Sequence, residues 1–168
     1  LLNEAVNIVN IFVDKGQTVV SKKAKNVEKS VTFKTTQKAF DANVPLVVLI
    51  DAYSASASEI VAGSLQDLDR AVVVGQRSFG KGLVQTVIPL IYNTQMKVTE
   101  SKYYIPSGRC IQAIDYANRD ENGRATKIPD SLKTAFKTKN GRTVYAGSGI
   151  EPDVYIEPVY ASNIAISL

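Results

Sequence analysis

The first fifteen residues carry hydrophobic side chains at spacings of three and four positions, among them Leu2, Val6, Val9 and Val13. This spacing places one apolar stripe along a helix and predicts an amphipathic helix over residues 1–15. Gly16 predicts the end of this helix, because glycine readily adopts the left-handed conformation that follows many helices. No capping residue precedes the helix, so we expect the segment to begin further upstream in a longer protein.

Two short runs of β-forming residues follow, at 18–21 and 30–35. Val31 and Phe33 alternate with polar neighbours, which is typical of a half-buried strand. We therefore predict a hairpin or two edge strands. Six lysines lie in and around these runs, with Glu28 as the one acidic residue and Phe33 as the one aromatic residue among them; they are Lys22, Lys23, Lys25, Lys29, Lys34 and Lys38. We interpret them as a solvated hairpin face rather than a nucleic-acid surface.

Residues 46–50 form an unbroken apolar run after Pro45, which predicts a strand buried on both faces of a parallel sheet. Residues 56–69 return to helical spacing, and residues 71–74 form a second apolar run that ends at Gly75. Strand, helix and strand within about 30 residues predict a βαβ unit with a right-handed crossover.

The rest of the chain shows strand-like alternation over 83–90 and 96–105. Residues 116–143 are polar and contain two Asn-Gly turn signals, so we predict an excursion from the core. The final apolar stretch, 161–168, has no predicted partner. Together the pattern predicts an α/β fold with a mixed sheet and additional β-hairpins.

Composition excludes several classes of site. The 168 residues suit one domain, and no apolar run approaches the roughly 20 residues that cross a bilayer. The absence of histidine excludes a Ser-His-Asp triad and a histidine metal site within this chain. The single cysteine, Cys110, excludes an internal disulfide and a thiolate zinc cluster, and we interpret it as structural.

The remaining chemistry centres on serines and one lysine. Ser56 lies at the start of the predicted second helix, where unpaired backbone N–H groups favour a developing oxyanion. The alternative is a purely structural role for Ser56, in a capping box with Glu59. Lys81 lies between Gly80 and Gly82, and burial would lower its pKa enough to make it a general base. The alternative is a surface lysine on a glycine loop.

Residues 75–81 also satisfy the first seven positions of a phosphate-binding P-loop. The next position of a P-loop requires Ser or Thr, but this chain has Gly82 there. A P-loop also opens a helix, whereas the segment that follows here alternates as a strand and contains Pro89. Both requirements fail, so nucleotide binding is not expected.

Several motifs occur together in a specific order: the apolar run 46–50, Ser-Ala-Ser-Ala-Ser-Glu at 54–59, and the stretches 71–75, 79–82, 84–87, 103–109 and 149–154. They closely resemble the C-terminal processing peptidases (tail-specific proteases), in a Bacteroidetes-like branch, over most of residues 1–155. The resemblance implies serine peptidases with a Ser-Lys dyad on a ClpP/crotonase-like β/α core that needs no cofactor or metal.

Matched position by position, the resemblance implies that Ser56 is the nucleophile, Lys81 the general base and Gln85 the residue that orients the lysine. The backbone N–H of Ala57 would supply one oxyanion donor, whereas Ser54 and Ser58 would be turn and helix-cap residues. We expect residues 1–168 to be a single serine-peptidase core domain. The family's glycine-rich oxyanion segment and PDZ domain would lie upstream. Residues 113–144 form an insertion to which we assign no chemistry.

The implied function is endopeptidase cleavage of proteins near their C-termini through an acyl-enzyme, in the bacterial periplasm or cell envelope. The implied partners are protein or peptide substrates with accessible C-termini, without nucleic acid or nucleotide, and homo-oligomerisation is left open. The alternative is a catalytically inactive module of the same fold that holds peptide tails. That alternative predicts peptide binding that survives Ser56→Ala, with no turnover by the wild type.

Overall fold

The computed structural model describes residues 1–158, and the apolar stretch 161–168 lies outside them. Helices α1 and α2 span Leu2–Phe12 and Ala57–Asp67, and short 3-10 helices span Val27–Lys29 and Asp130–Leu132. The strands are β1 Thr18–Ala24, β2 Val31–Lys34, β3 Val47–Ile50, β4 Val72–Gly75, β5 Leu83–Pro89, β6 Gln95–Tyr104, β7 Ile114–Arg119, β8 Ala125–Lys127, β9 Ala135–Lys137, β10 Thr143–Tyr145 and β11 Val154–Tyr155. Within the described range, no helix combines the length and hydropathy needed to cross a membrane.

The described strands form two main sheets, one antiparallel and one parallel, instead of the mixed sheet that the pattern predicted. One is antiparallel with the order β2-β1-β6-β5, and its β1–β2 pair confirms the predicted hairpin. The other is parallel with the order β11-β4-β3. Because β3, α2 and β4 are consecutive and the two strands are parallel neighbours, the predicted βαβ unit and the α/β class are confirmed.

Helix α2 lies between two hydrophobic clusters. Its residues Ile60 and Leu65 pack with α1 and β1, whereas Ala62 packs with β3, β4 and residues of the later loops. Gly63 sits at the closest approach, since an added Cβ would lie 2.6 Å from the Ile150 side chain and 2.7 Å from that of Ile105. The helix is therefore held firmly on both sides, which fixes the position of its N-terminus.

The parallel strands are buried on one face only, so the expectation of burial on both faces is wrong. Ile50 and Val73 are buried beneath α2. On the opposite face, Val47 is 58% exposed, Leu49 76% and Val72 46%. An unbroken apolar run does not reveal whether a second layer covers the strand, and none does so among residues 1–158.

Helix α1 ends earlier than predicted. Val13 is already extended, with φ −129° and ψ 128°, yet it remains buried in the same cluster as Val6 and Val9. The apolar stripe therefore continues beyond the last helical residue. Gly16, with φ +93°, lies instead in the turn that leads into β1, where its N–H donates to the carbonyl of Thr35.

The polar segment 116–143 is an excursion only in part. Strands β7 and β8 form a mostly exposed hairpin, but the β9–β10 hairpin is attached to the body of the protein. Arg142 contacts Asp69 at 2.6 Å, and the Lys139 N–H donates to the carbonyl of Asp67 at 2.7 Å. These attachments are polar, so hydrophobic patterning gave no sign of them.

Candidate active site

The chain turns sharply between β3 and α2, and Asp51 organises this turn. Its Oδ1 accepts hydrogen bonds from the Ser54 hydroxyl at 3.0 Å, the Tyr53 N–H at 3.0 Å and the Ser54 N–H at 2.9 Å. These bonds, that of the Ser54 hydroxyl above all, hold the pKa of Asp51 below its ordinary value. The Ser54 side chain is thus committed to the turn.

Ser56 occupies the N-cap of α2 with an unusual backbone. Its φ of +58° and ψ of −112° lie outside the regions that residues with a Cβ adopt without strain. A strained serine on a strand-to-helix turn is also the arrangement that presents the hydroxyl of nucleophile elbows. Ala57 begins the helix, so its N–H has no acceptor within the helix and is available to an anion.

Glu59 links the turn between β3 and α2 (residues 51–56, the serine turn) to the loop between β4 and β5 (residues 76–82, the lysine loop) through one buried carboxylate. Its side chain is fully buried, and its Oε2 accepts the Ser56 N–H and the Lys81 N–H, each at 2.8 Å. Its Oε1 accepts the Gly80 N–H at 2.6 Å and the Ser78 hydroxyl. The capping box between Ser56 and Glu59 is present. The contacts with residues 78–81 were not predicted.

The lysine loop is fixed from its other side by residues that precede β7. An added Cβ on Gly80 would lie 2.3 Å from the Ala113 Cβ, and one on Gly82 would lie 2.6 Å from the backbone nitrogen of Gln112. The Ala113 N–H donates to the Gly80 carbonyl at 3.0 Å, and the Gly82 N–H donates to Gln112 Oε1 at 2.8 Å. Both glycines are therefore required for this close approach. The loop continues into β5 rather than a helix, as the exclusion of a P-loop predicted.

Lys81 itself is exposed, so the expectation of a buried lysine is wrong for this structure. The physical reason is that Gly80 and Gly82, not the lysine, make the close contacts with residues 112 and 113. The Lys81 backbone is held beside Ser56 by Glu59, while the residue as a whole is exposed.

Gln85 lies on β5, four residues beyond Lys81, and its side chain is exposed. Its Nε2 donates a long hydrogen bond of 3.4 Å to the Thr99 hydroxyl on β6. That contact does not use the amide oxygen, the atom that could accept a lysine N–H. The predicted contact between Gln85 and Lys81 stays a prediction. Ser58 is exposed on the first turn of α2.

Comparison with known proteins identifies the family. The family model described as Peptidase family S41 matches residues 1–118. A carboxy-terminal-processing protease of Bartonella bacilliformis is 44% identical over 114 residues, covering 68% of this chain and 26% of the relative. A chloroplastic C-terminal processing peptidase of Tetradesmus obliquus is 36% identical over 114 residues, covering 68% of this chain and 24% of the relative.

The fold gives the same result. The solved structure of a photosystem II D1 C-terminal processing protease superposes with a TM-score of 0.66 at 28% identity, covering 94% of this chain and 32% of that one. The chain spans about a quarter of the length of the curated relatives it matches. The predicted resemblance is confirmed at the level of the family: the chain belongs to peptidase family S41, and the curated relatives named above are carboxy-terminal-processing proteases.

Proposed function

We propose that the chain is the catalytic core of a serine endopeptidase that cleaves proteins near their C-termini, with Ser56 as nucleophile and Lys81 as general base. The observation that carries this proposal is the buried Glu59 carboxylate, which accepts the backbone N–H groups of both residues on one oxygen. The strained backbone of Ser56 supports the same assignment, because such strain is concentrated at functional positions.

Acylation begins when the neutral Lys81 amine removes the proton from Ser56 Oγ, which attacks the carbonyl carbon of the scissile peptide bond. The oxyanion is stabilised by the Ala57 N–H and the positive end of α2. The C–N bond then breaks as Lys81 returns the proton to the leaving amine. Lys81 next removes a proton from water, and the resulting hydroxide attacks the ester carbonyl. Lys81 returns that proton to Ser56 Oγ as the C–O bond breaks, which releases the acid product and restores both residues.

The mechanism requires an uncharged amine, and substrate is the agent that we propose for this. A peptide lying across the exposed Lys81 would remove water from the amine, and desolvation disfavours the ammonium form. The Gln85 amide oxygen would orient Nζ. A second oxyanion donor is expected from a glycine upstream of Leu1, and location in a bacterial envelope is part of the same proposal.

The test uses the full-length protein with casein or C-terminal peptides as substrate. Ser56→Ala and Lys81→Ala should each lower the rate by at least about 10³-fold, because nucleophile and base act as a unit. Ser58→Ala removes a neighbouring exposed hydroxyl that has no proposed role in the reaction, so its rate should stay within about twofold of the wild-type rate. Circular dichroism confirms that each variant is folded, and EDTA should not inhibit.

Full activity of either dyad variant would contradict the proposal. The inactive-module alternative has a different signature: peptides bind to the wild type and to Ser56→Ala equally, and neither protein cleaves them at any pH.

A further inference from the structure

A cavity of about 670 Å³ lies beside the lysine loop, between the β5–β6 hairpin and the segment 110–147. Leu83 and Gln85 line it from β5, and Ile114 and Ala117 line it from β7. Ile128 and Leu132 close it from the chain beyond β8. Its volume lies within the range of about 300–1,000 Å³ typical of ligand pockets. The insertion to which the sequence assigned no chemistry thus supplies most of one wall.

The cavity adjoins the lysine loop through Gln85 and Gln112, which both line it. Gln112, which also lines the cavity, accepts the Gly82 N–H at 2.8 Å. Leu83 and Gln85 follow Lys81 by two and four residues, so they lie at most about 7 and 13 Å further along the chain. An extended substrate advances by nearly the same distance per residue, so the cavity lies two to four residues from a peptide bond held at Lys81.

The lining favours uncharged, apolar groups. Lys102 and Asp115 are the charged residues that border the cavity, and their charges oppose each other. The amide of Gln112 is already engaged, since its Oε1 accepts from Gly82 and its Nε2 donates to the Ile114 carbonyl. Burial raises the pKa of the Cys110 thiol, so this lining residue is also neutral at pH 7.

We propose that this cavity is a specificity subsite that binds apolar side chains of the substrate, two to four residues from the scissile bond. The inference rests on the proposed peptidase function and adds a sequence preference to it. Hydrophobic selection at this distance would direct the enzyme to apolar segments near a C-terminus rather than to acidic or glycine-rich ones.

The first test measures kcat/KM of the full-length protein for a glycine-rich peptide in which leucine or aspartate replaces one residue at a time near the cleavage point. At one position between two and four residues from that point, leucine should be preferred over aspartate by at least about tenfold. Ala117→Trp places a bulky ring on the cavity wall and should reduce that ratio to near one.

The matched control is Thr126→Trp, on the adjacent strand β8, whose exposed side chain does not line the cavity. It should keep the wild-type ratio. An unchanged ratio in Ala117→Trp, or an equal loss in both variants, would overturn the proposed subsite.

The second test needs no catalysis and separates failure of the subsite from failure of the proposed function. Cys110 is the one cysteine among these 168 residues and lines the cavity. In the full-length Ser56→Ala protein, N-ethylmaleimide modification of Cys110 is followed by mass spectrometry, with Cys110→Ser identifying the labelled peptide. The leucine peptide should slow labelling by at least about threefold at saturation and the aspartate peptide should not, whereas equal rates would overturn the subsite even if cleavage is confirmed.

Discussion

Helix α2 carries a buried carboxylate at each end, and the two are stabilised in different ways. Glu59, at the N-terminus, accepts hydrogen bonds from four neutral donors in the serine turn and the lysine loop. Asp67, at the C-terminus, faces the buried guanidinium of Arg109 at 2.9 Å and accepts the Ser107 N–H. Both side chains are almost fully buried.

The difference teaches what each end of the helix attaches. The Asp67–Arg109 contact is an ion pair in which Asp67 Oδ1 lies 2.9 Å from Arg109 Nη2, and the same Nη2 also donates to Gln66 Oε1 at 2.7 Å. Nη1 reaches the Tyr145 carbonyl on β10. The C-terminal end therefore secures the β9–β10 hairpin through charge, whereas the N-terminal end positions the two proposed catalytic residues through backbone donors.

The largest effect on stability is expected at the C-terminal end of α2, where Asp67 and Arg109 form the buried ion pair. Arg109→Met leaves the Asp67 carboxylate buried without its cation, and such changes lower the free energy of unfolding by about 3–5 kcal/mol. The double variant Asp67→Asn/Arg109→Met removes both charges and should recover much of this loss. Urea unfolding of the three proteins measures it. Equal stability of the single and double variants would show that the ion pair does not secure this end.

At the N-terminal end of α2, substitution of Glu59 is expected to cause a smaller loss of stability but a larger loss of activity. Glu59→Gln replaces one acceptor oxygen with an NH₂ group that faces N–H or hydroxyl donors, which should lower the free energy of unfolding by about 1–3 kcal/mol. Because Ser56 and Lys81 lose their common acceptor, kcat should fall by about 10–100-fold while KM changes little.

The matched control for this variant is Glu100→Gln on β6, whose exposed carboxylate lies 3.8 Å from Lys22. Such surface pairs contribute about 0–1 kcal/mol, and kcat should not change. A Glu59→Gln protein with lowered stability but wild-type kcat would show that Glu59 is structural only.

The smallest effect is expected just beyond α2, where the partly exposed Arg142 guanidinium pairs with the largely buried Asp69 carboxylate. Burial acts to raise the pKa of Asp69, but hydrogen bonds from Arg142 and the Asn140 N–H outweigh it, so the pKa lies below its ordinary value. A depressed carboxyl pKa contributes stability at pH values above about 3.9 and loses that contribution as the pH falls through the folded-state pKa. Arg142→Gln, which also removes the contacts of this side chain with Asp153 and the Gln66 carbonyl, should therefore cost about 1 kcal/mol at pH 7 and less at pH 3. Urea titrations at both pH values measure this difference, and an equal loss at both would contradict the assignment.

Sequence patterning predicted the features that depend on local spacing. The hairpin, the βαβ unit and the placement of Ser56 at the start of α2 all follow from residues close together in the chain. The exposure of Leu49 could not be predicted in this way, because a strand covered on one face and a strand covered on both faces can have the same apolar sequence. Burial of Lys81 was predicted from its glycine neighbours, but those glycines serve the approach of Ala113 and Gln112.

The least predictable part of the site was the second role of Glu59. The capping box identified it as a residue that reaches back to Ser56. Its contacts with residues 78–81 depend on how α2 docks against a loop some twenty positions later, for which the spacing of residues gives no signal. The polar anchoring of the β9–β10 hairpin was missed for the same reason, since ion pairs leave no periodic pattern.

The central claim is that Ser56 is a nucleophile made reactive by Lys81, and covalent labelling tests it most directly. The full-length protein is incubated with a fluorophosphonate, which reacts with activated serines, and the modified residue is identified by mass spectrometry. We predict one adduct, on Ser56, and at least about a 10³-fold slower reaction in Lys81→Ala. An adduct on another residue, or equally fast labelling of Ser56 without Lys81, would contradict the account.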